Sequence, residues 1–169
     1  IVWEELLRMD LLMEDYNHLL EYGRLCMELY PEQPVAMLFT ALGAYQLKDY
    51  QLAEKLLNRG VKMVAGNNEL LAQFYMYLGD VYHALHKEEE SDQAYEKSIQ
   101  IKDNNSYVLN NYSYYLSLRG KDLDKAEDMS KRAVEMDPEN SSFQDTYGWV
   151  LYKLGRYRDA EEWIAKALK

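Results

Sequence analysis

Residues 147–160 read Tyr147-Gly148-Trp149-Val150-Leu151-Tyr152-Lys153-Leu154-Gly155-Arg156-Tyr157-Arg158-Asp159-Ala160, and Ala167 follows. Gly155 suits a helix C-terminus, because glycine takes positive φ without penalty. The stretch therefore divides into a first helix ending near Leu154 and a second beginning near Tyr157. Ala160 and Ala167 are seven residues apart, two helical turns, so both lie on one face of the second helix. Small side chains on that face let a neighbouring helix approach closely. Gly148 sits one helix upstream, where the hairpin partner packs against it.

Working outward, the same arrangement recurs along the chain. Five pairs spaced by seven, Leu19/Cys26, Ala53/Gly60, Ser91/Ser98, Ala126/Ala133 and Ala160/Ala167, follow one another at steps of 34, 38, 35 and 34 residues. Twelve or thirteen residues before each pair stands Leu7, Ala41, Gly79, Ser113 or Gly148, at steps of 34, 38, 34 and 35. Two independent series with nearly one period define a repeat architecture. Pro31 and Pro138 fall where a second helix should stop and the next begin. Gly120, in Leu118-Arg119-Gly120-Lys121, marks another helix C-terminus. The 38-residue step places about four extra residues in the second repeat, expected in the turn Ala65-Gly66-Asn67-Asn68, and one extra in the fourth is expected near Lys121-Asp122.

These residues resemble the tetratricopeptide repeat family. Besides 147–160, Leu78-Gly79-Asp80-Val81-Tyr82 with Ala94-Tyr95-Glu96-Lys97-Ser98 matches its pattern, as does Lys125-Ala126 with Arg132-Ala133-Val134-Glu135-Met136-Asp137-Pro138. The similarity covers nearly the whole chain and weakens at the N-terminus, where Leu7 and Leu19 replace small residues. It implies an all-α fold, an α-solenoid of about five helix-turn-helix repeats (1–33, 34–71, 72–105, 106–140 and 141–169) forming a single domain wound as a right-handed superhelix. Each hairpin cannot bury its apolar face alone, so stacking supplies the core.

Composition agrees and narrows function. Only 3 Pro and 8 Gly among 169 residues favour an all-helical chain. No apolar run approaches the ~20 residues of a membrane span. A net charge of −10 with no basic stripe argues against nucleic acid as a partner. Cys26 is the sole cysteine, so neither an internal disulfide nor a cysteine zinc site can form. It occupies a small-residue packing position and is expected to be a buried thiol. The acidic start Ile1-Val2-Trp3-Glu4-Glu5 does not read as a signal peptide, but without an initiator Met it leaves the compartment open between the cytoplasm and a fragment of an exported cell-envelope protein.

In the resembling family, ligands lie in the groove formed by the first helices. Carried onto matching positions, the fifth repeat contributes Asp145, Trp149 and Tyr152. The fourth contributes Asn110, Tyr114 and Ser117, with Tyr107 and Asn111 alongside. The third contributes Met76, Asp80 and His83, and the second Leu38, Leu42 and Tyr45. Large aromatics supply rigid contact area at small entropic loss, and Asn110 and Asn111 can pair with both N–H and C=O of an extended peptide. The competing reading is that the 16 tyrosines fill gaps between helices. Family members that clamp a terminal carboxylate use basic groove residues; Asp80 and Asp145 would repel one, so a basic or neutral partner fits better.

His83 and His86, three apart with Asp80 one turn earlier, have metal-like spacing but no evident fourth ligand, so no metal and no cofactor is assigned. No Gly-rich phosphate loop, nucleophile elbow or His-Glu zinc motif is present, and no catalytic residue is assigned. The reading is a non-enzymatic scaffold holding a protein or peptide. The alternative is a structural segment that self-associates or packs on other domains of a longer chain, through a final helix expected to expose Trp163, Ile164 and Leu168.

Overall fold

The computed structural model describes residues 2–169. Among them the chain forms ten α-helices and no strand: α1 (Val2–Leu12), α2 (Tyr16–Leu29), α3 (Pro34–Gln46), α4 (Tyr50–Met63), α5 (Asn68–Ala84), α6 (Glu88–Ile101), α7 (Ser106–Arg119), α8 (Leu123–Met136), α9 (Ser141–Lys153) and α10 (Tyr157–Ala167). They pair in sequence as the helical hairpins of an all-α solenoid. Two compact units divide them, α1 to α6 up to Lys102 and α7 to α10 from Asp103 onward.

Helix starts are set by short polar caps. Asp15, Asp49 and Asn67 accept hydrogen bonds from the amides of His18, Leu52 and Leu70 at 3.2, 3.1 and 3.0 Å. These side chains satisfy donors that a helix start leaves over. Asn105 and Asn140 cap α7 and α9 in the same way. Pro34 opens α3, where its missing N–H is no loss.

Within four hairpins the turn passes through one residue in the left-handed region: Glu14 (φ 56°), Lys48 (64°), His86 (58°) and Gly155 (78°). Only Gly155 has the residue type that adopts this conformation without strain. The fourth hairpin differs, with both Gly120 (φ 64°) and Asp122 (φ 46°) left-handed, as an extra residue near Lys121-Asp122 requires.

The other insertion lies elsewhere than expected. The connection Val64–Asn67 is as short as Tyr30–Gln33, while α5 runs 17 residues against 13 for α3. The four extra residues add a helical turn to the start of α5. Asn67 is the cap of that turn, not part of a longer loop.

The spaced small residues lie in the interior of both units. In the first, Leu7, Ala41, Ala53, Ser91 and Ser98 are buried, and Cys26 is a buried free thiol whose burial pushes its pKa up. A Cβ added at Gly60 would stand 2.2 Å from the Phe74 ring, and one at Gly79 would stand 2.7 Å from the Tyr95 ring. Such contact explains why these positions stay small. The two serines satisfy their hydroxyls by donating to carbonyls of α5, Ser91 to Gly79 at 2.8 Å and Ser98 to Ala72 at 2.9 Å. In the second unit Ser113, Ala126, Ala133 and Ala160 are buried, and Ala167 is half-buried. No helix among the described residues is long and apolar enough to cross a membrane.

Candidate functional site

The second unit presents its first helices, α7 and α9, packed against each other. An edge-on contact between Tyr107 of α7 and Phe143 of α9, centroids 5.4 Å apart, links them. On these helices the sequence-derived residues separate by burial. Tyr107, Tyr114 and Tyr152 are 61, 38 and 50 % exposed. Asp145 is exposed, while Trp149 and Asn111 are half-buried. Trp149 stacks on Tyr152 at 5.6 Å and 23°, Lys153 Nζ sits 5.6 Å from the indole ring centre, and Tyr157 meets Tyr152 at 5.4 Å. The result is a run of aromatic faces open to solvent.

Two polar atoms on this face are buried without a hydrogen-bond partner, Asn110 Oδ1 and Trp149 Nε1. Asn110 uses only its amide nitrogen, donating to Asn111 Oδ1 at 3.2 Å. One orphan is an acceptor and the other a donor, and each buried unpaired group costs about 1–3 kcal/mol. Neither signal is visible in the sequence, where Asn110 reads as a surface amide. Ser117 is buried and returns its hydroxyl to the Tyr114 carbonyl at 2.6 Å, which occupies it locally.

In the first unit the predicted residues behave differently. Asp80 is buried and accepts from the Tyr95 hydroxyl at 2.5 Å. Burial, then the Asp80 charge, then Tyr50 push Tyr45 up to about 12, and burial followed by Asp80 raises Tyr77. Asp80 is thus the polar centre of a tyrosine cluster. Leu38 and Leu42 belong to the core, whereas Met76, Tyr45 and His83 are half-buried. His83 Nδ1 lies 3.5 Å from Glu88 Oε2. His86 is not on the same helix as His83: α5 ends at Ala84 and His86 forms the left-handed turn. No group of three metal-ligating side chains gathers among the described residues.

Tyrosine packing and tyrosine display therefore both occur, on different residues. Tyr95, Tyr112 and Tyr147 fill the interior, while Tyr107, Tyr114, Tyr152 and Tyr157 remain in solvent.

Models of the tetratricopeptide repeat match residues 72–105 and 116–169. The chain belongs to the tetratricopeptide repeat family. A TPR repeat-containing protein of Pseudomonas aeruginosa is 29 % identical over 71 residues, covering 42 % of this chain and 12 % of that protein, so the chain spans about an eighth of that relative. Among solved structures, MamA from Desulfovibrio magneticus RS-1 superposes with a TM-score of 0.74 at 16 % identity, covering 99 % of this chain and 92 % of that one. YrrB, described as a TPR protein with an unusual peptide-binding site, gives 0.70 at 16 % identity, covering 99 % and 84 %. These likenesses concern the fold. In general terms a tetratricopeptide repeat chain is a protein-interaction scaffold, and repeats of this family are in general non-enzymatic.

Proposed function

We propose that the α7–α9 face binds an extended, basic or neutral segment of a partner protein. The observation that carries this reading is the set of large aromatics left in solvent on two adjacent first helices, Tyr107 and Tyr114 on α7 with Tyr152 beside half-buried Trp149 on α9. Rigid amphipathic rings of this kind dominate binding energy at protein interfaces. The orphan atoms support the same reading. A strand's N–H would satisfy Asn110 Oδ1 and its C=O would satisfy Trp149 Nε1. Both atoms are covered in the free chain, so neighbouring side chains must shift for a peptide to reach them. The exposed Asp145 favours a cation next to the aromatic row. YrrB's described peptide-binding site is a precedent on a similar fold, at an identity too low to transfer residues.

The test uses peptides selected against the whole chain from a random display library. Binding is then measured on wild type, Tyr114→Ala, Trp149→Ala and the double variant, together with thermal unfolding. Loss of about tenfold or more in affinity per aromatic, with melting changed by only a few degrees, is expected. In ¹⁵N spectra the Trp149 indole signal should move on binding and that of Trp3 should not. Retained binding in the double variant would refute the proposal, as would selected peptides that leave the Trp149 signal in place.

A further inference from the structure

The face formed by α7 and α9 carries more hydrogen-bond donors than acceptors. The hydroxyls of Tyr107, Tyr114 and Tyr152 form no hydrogen bond among the described residues. Trp149 Nε1–H has no acceptor, and Lys153 holds its ammonium over the indole ring. Acceptors are fewer: Asn110 Oδ1, which has no donor, and the exposed carboxylate of Asp145, one turn before Trp149 on α9. Phenol and indole donors sit at the edges of flat apolar rings. A partner that covers those rings must also accept from their edges, or it buries unpaired donors and binds weakly.

Three backbone forms differ in what they offer such a surface. A helix has spent its amides and carbonyls internally and would leave Asn110 Oδ1 and Trp149 Nε1 unpaired. A β-strand brings one N–H for every C=O, more donors than Asn110 and Asp145 can accept. A polyproline II segment has no internal hydrogen bonds, and each proline contributes a carbonyl and no N–H. Its excess of acceptors matches the excess of donors on α7 and α9. The spacing agrees as well. Packed helices run about 8–10 Å apart, and a polyproline II helix repeats every three residues, about 9 Å. Rings on α7 and on α9 therefore meet residues on one side of such a segment. Pyrrolidine rings are apolar and conformationally fixed, so laying them on tyrosine sacrifices little freedom.

We infer that the segment held on the α7–α9 face is proline-rich and in the polyproline II form, with one non-proline residue giving its N–H to Asn110 Oδ1 and a Lys or Arg at the end near Asp145. This rests on the binding role proposed for that face and adds the partner's composition and backbone conformation. Trp149 Nε1–H and the phenol hydroxyls donate to the segment's carbonyls, and the aromatic faces carry its prolines.

The test uses the full chain and three synthetic peptides of three polyproline II turns, about nine residues each. The first is proline with one central alanine and a terminal arginine. The second replaces its prolines with valine and threonine, which favour a strand, and the third with alanine and glutamine, which favour a helix. Calorimetry reads affinity, and the ¹⁵N indole signal of Trp149 reads the site. The proline peptide is expected to bind at least about tenfold more tightly than either counterpart and to move the Trp149 signal. Tyr114→Phe combined with Tyr152→Phe keeps both rings and removes two hydroxyls. It is expected to weaken the proline peptide about threefold to tenfold with thermal melting unchanged. Asp145→Asn is expected to weaken it about twofold to fourfold at low salt. A strand or helix peptide that binds as tightly while moving the Trp149 signal overturns the polyproline II assignment and leaves the face standing. A proline peptide that binds without moving that signal overturns the face itself. No measurable binding of the proline peptide overturns the inference, and unchanged affinity in the paired Phe variant overturns the donor match.

Discussion

Gly60→Ala tests the nesting on which the fold rests. The new Cβ would stand 2.2, 2.4 and 3.1 Å from Cε1, Cζ and Cδ1 of Phe74. Carbon pairs are comfortable at about 3.5–4.0 Å, so the ring must retreat by roughly 1 Å or more. Phe74 is fully buried, and a core at crystal-like density offers no room for that movement. Overpacking of this kind costs about 1–3 kcal/mol. Against it stands the helix-propensity gain of about 1 kcal/mol for Gly to Ala inside α4. The net expectation is a loss of up to about 2 kcal/mol, which lowers Tm by up to about 8 °C in a chain of this size. Far-ultraviolet circular dichroism against temperature and urea reads it. A second substitution makes the reasoning specific: Phe74→Leu in the Gly60→Ala background should recover about 1 kcal/mol relative to additive losses. If Gly60→Ala raises Tm, propensity has prevailed and α4 does not press on Phe74 as described. If the double variant is simply additive, the loss arises somewhere other than this contact.

Three further outcomes follow from other contacts. Lys48→Gly and His86→Gly relieve a left-handed turn that L side chains adopt with strain, and each should stabilise by about 0.5–1 kcal/mol in urea titrations. Tyr95→Phe removes the buried hydrogen bond to Asp80 and should destabilise by about 1–3 kcal/mol in the same titrations, with little change in circular dichroism at low denaturant. Tyr45 ionises near 10 in an unfolded chain and about 12 in the fold, so the native state holds the phenol proton more tightly. Its contribution to stability is whole below pH ~10 and falls away as pH rises through about 12. Tyr45→Phe should flatten that alkaline limb in urea midpoints measured from pH 9 to 12.

The fold was legible because its determinants are one-dimensional. Gly148, Ala160 and Ala167 announce close helix contact by size alone, and the same spacing recurs at Gly79, Ser91 and Ser98. Gly120 and Gly155 announce turns by conformational freedom, and both take positive φ. The equivalent turns at Glu14, Lys48 and His86 carry no such sign, because the stacked hairpins impose a conformation that these residue types do not favour. Gly66-Asn67-Asn68 resembles loop sequence by composition, yet Asn67 is a helix cap and Asn68 lies in α5. Composition cannot distinguish a polar loop from a polar cap. The candidate site was legible only as a set of positions. Which tyrosines face solvent, and that Asp80 and Asn110 are buried, depends on neighbours on other helices.

Apolar stacking explains why hairpins associate but not why they associate in one order. Within the first unit glycines stand against side chains of the next hairpin, Gly23 against Thr40 and Gly60 against Phe74, so packing alone does not forbid one hairpin from substituting for another. The charges at the rim differ from step to step. Leu20 precedes Asp49, whereas Glu54 precedes Lys87 and Glu127 precedes Arg156. Exchanging hairpins would set Asp49 against Glu54, or would give Lys87 an apolar neighbour and no carboxylate. Exposed ion pairs add little to stability, but like charges brought together discriminate strongly between partners. Within the units the apolar faces supply cohesion, and the Glu54–Lys87 and Glu127–Arg156 pairs favour one order of hairpins.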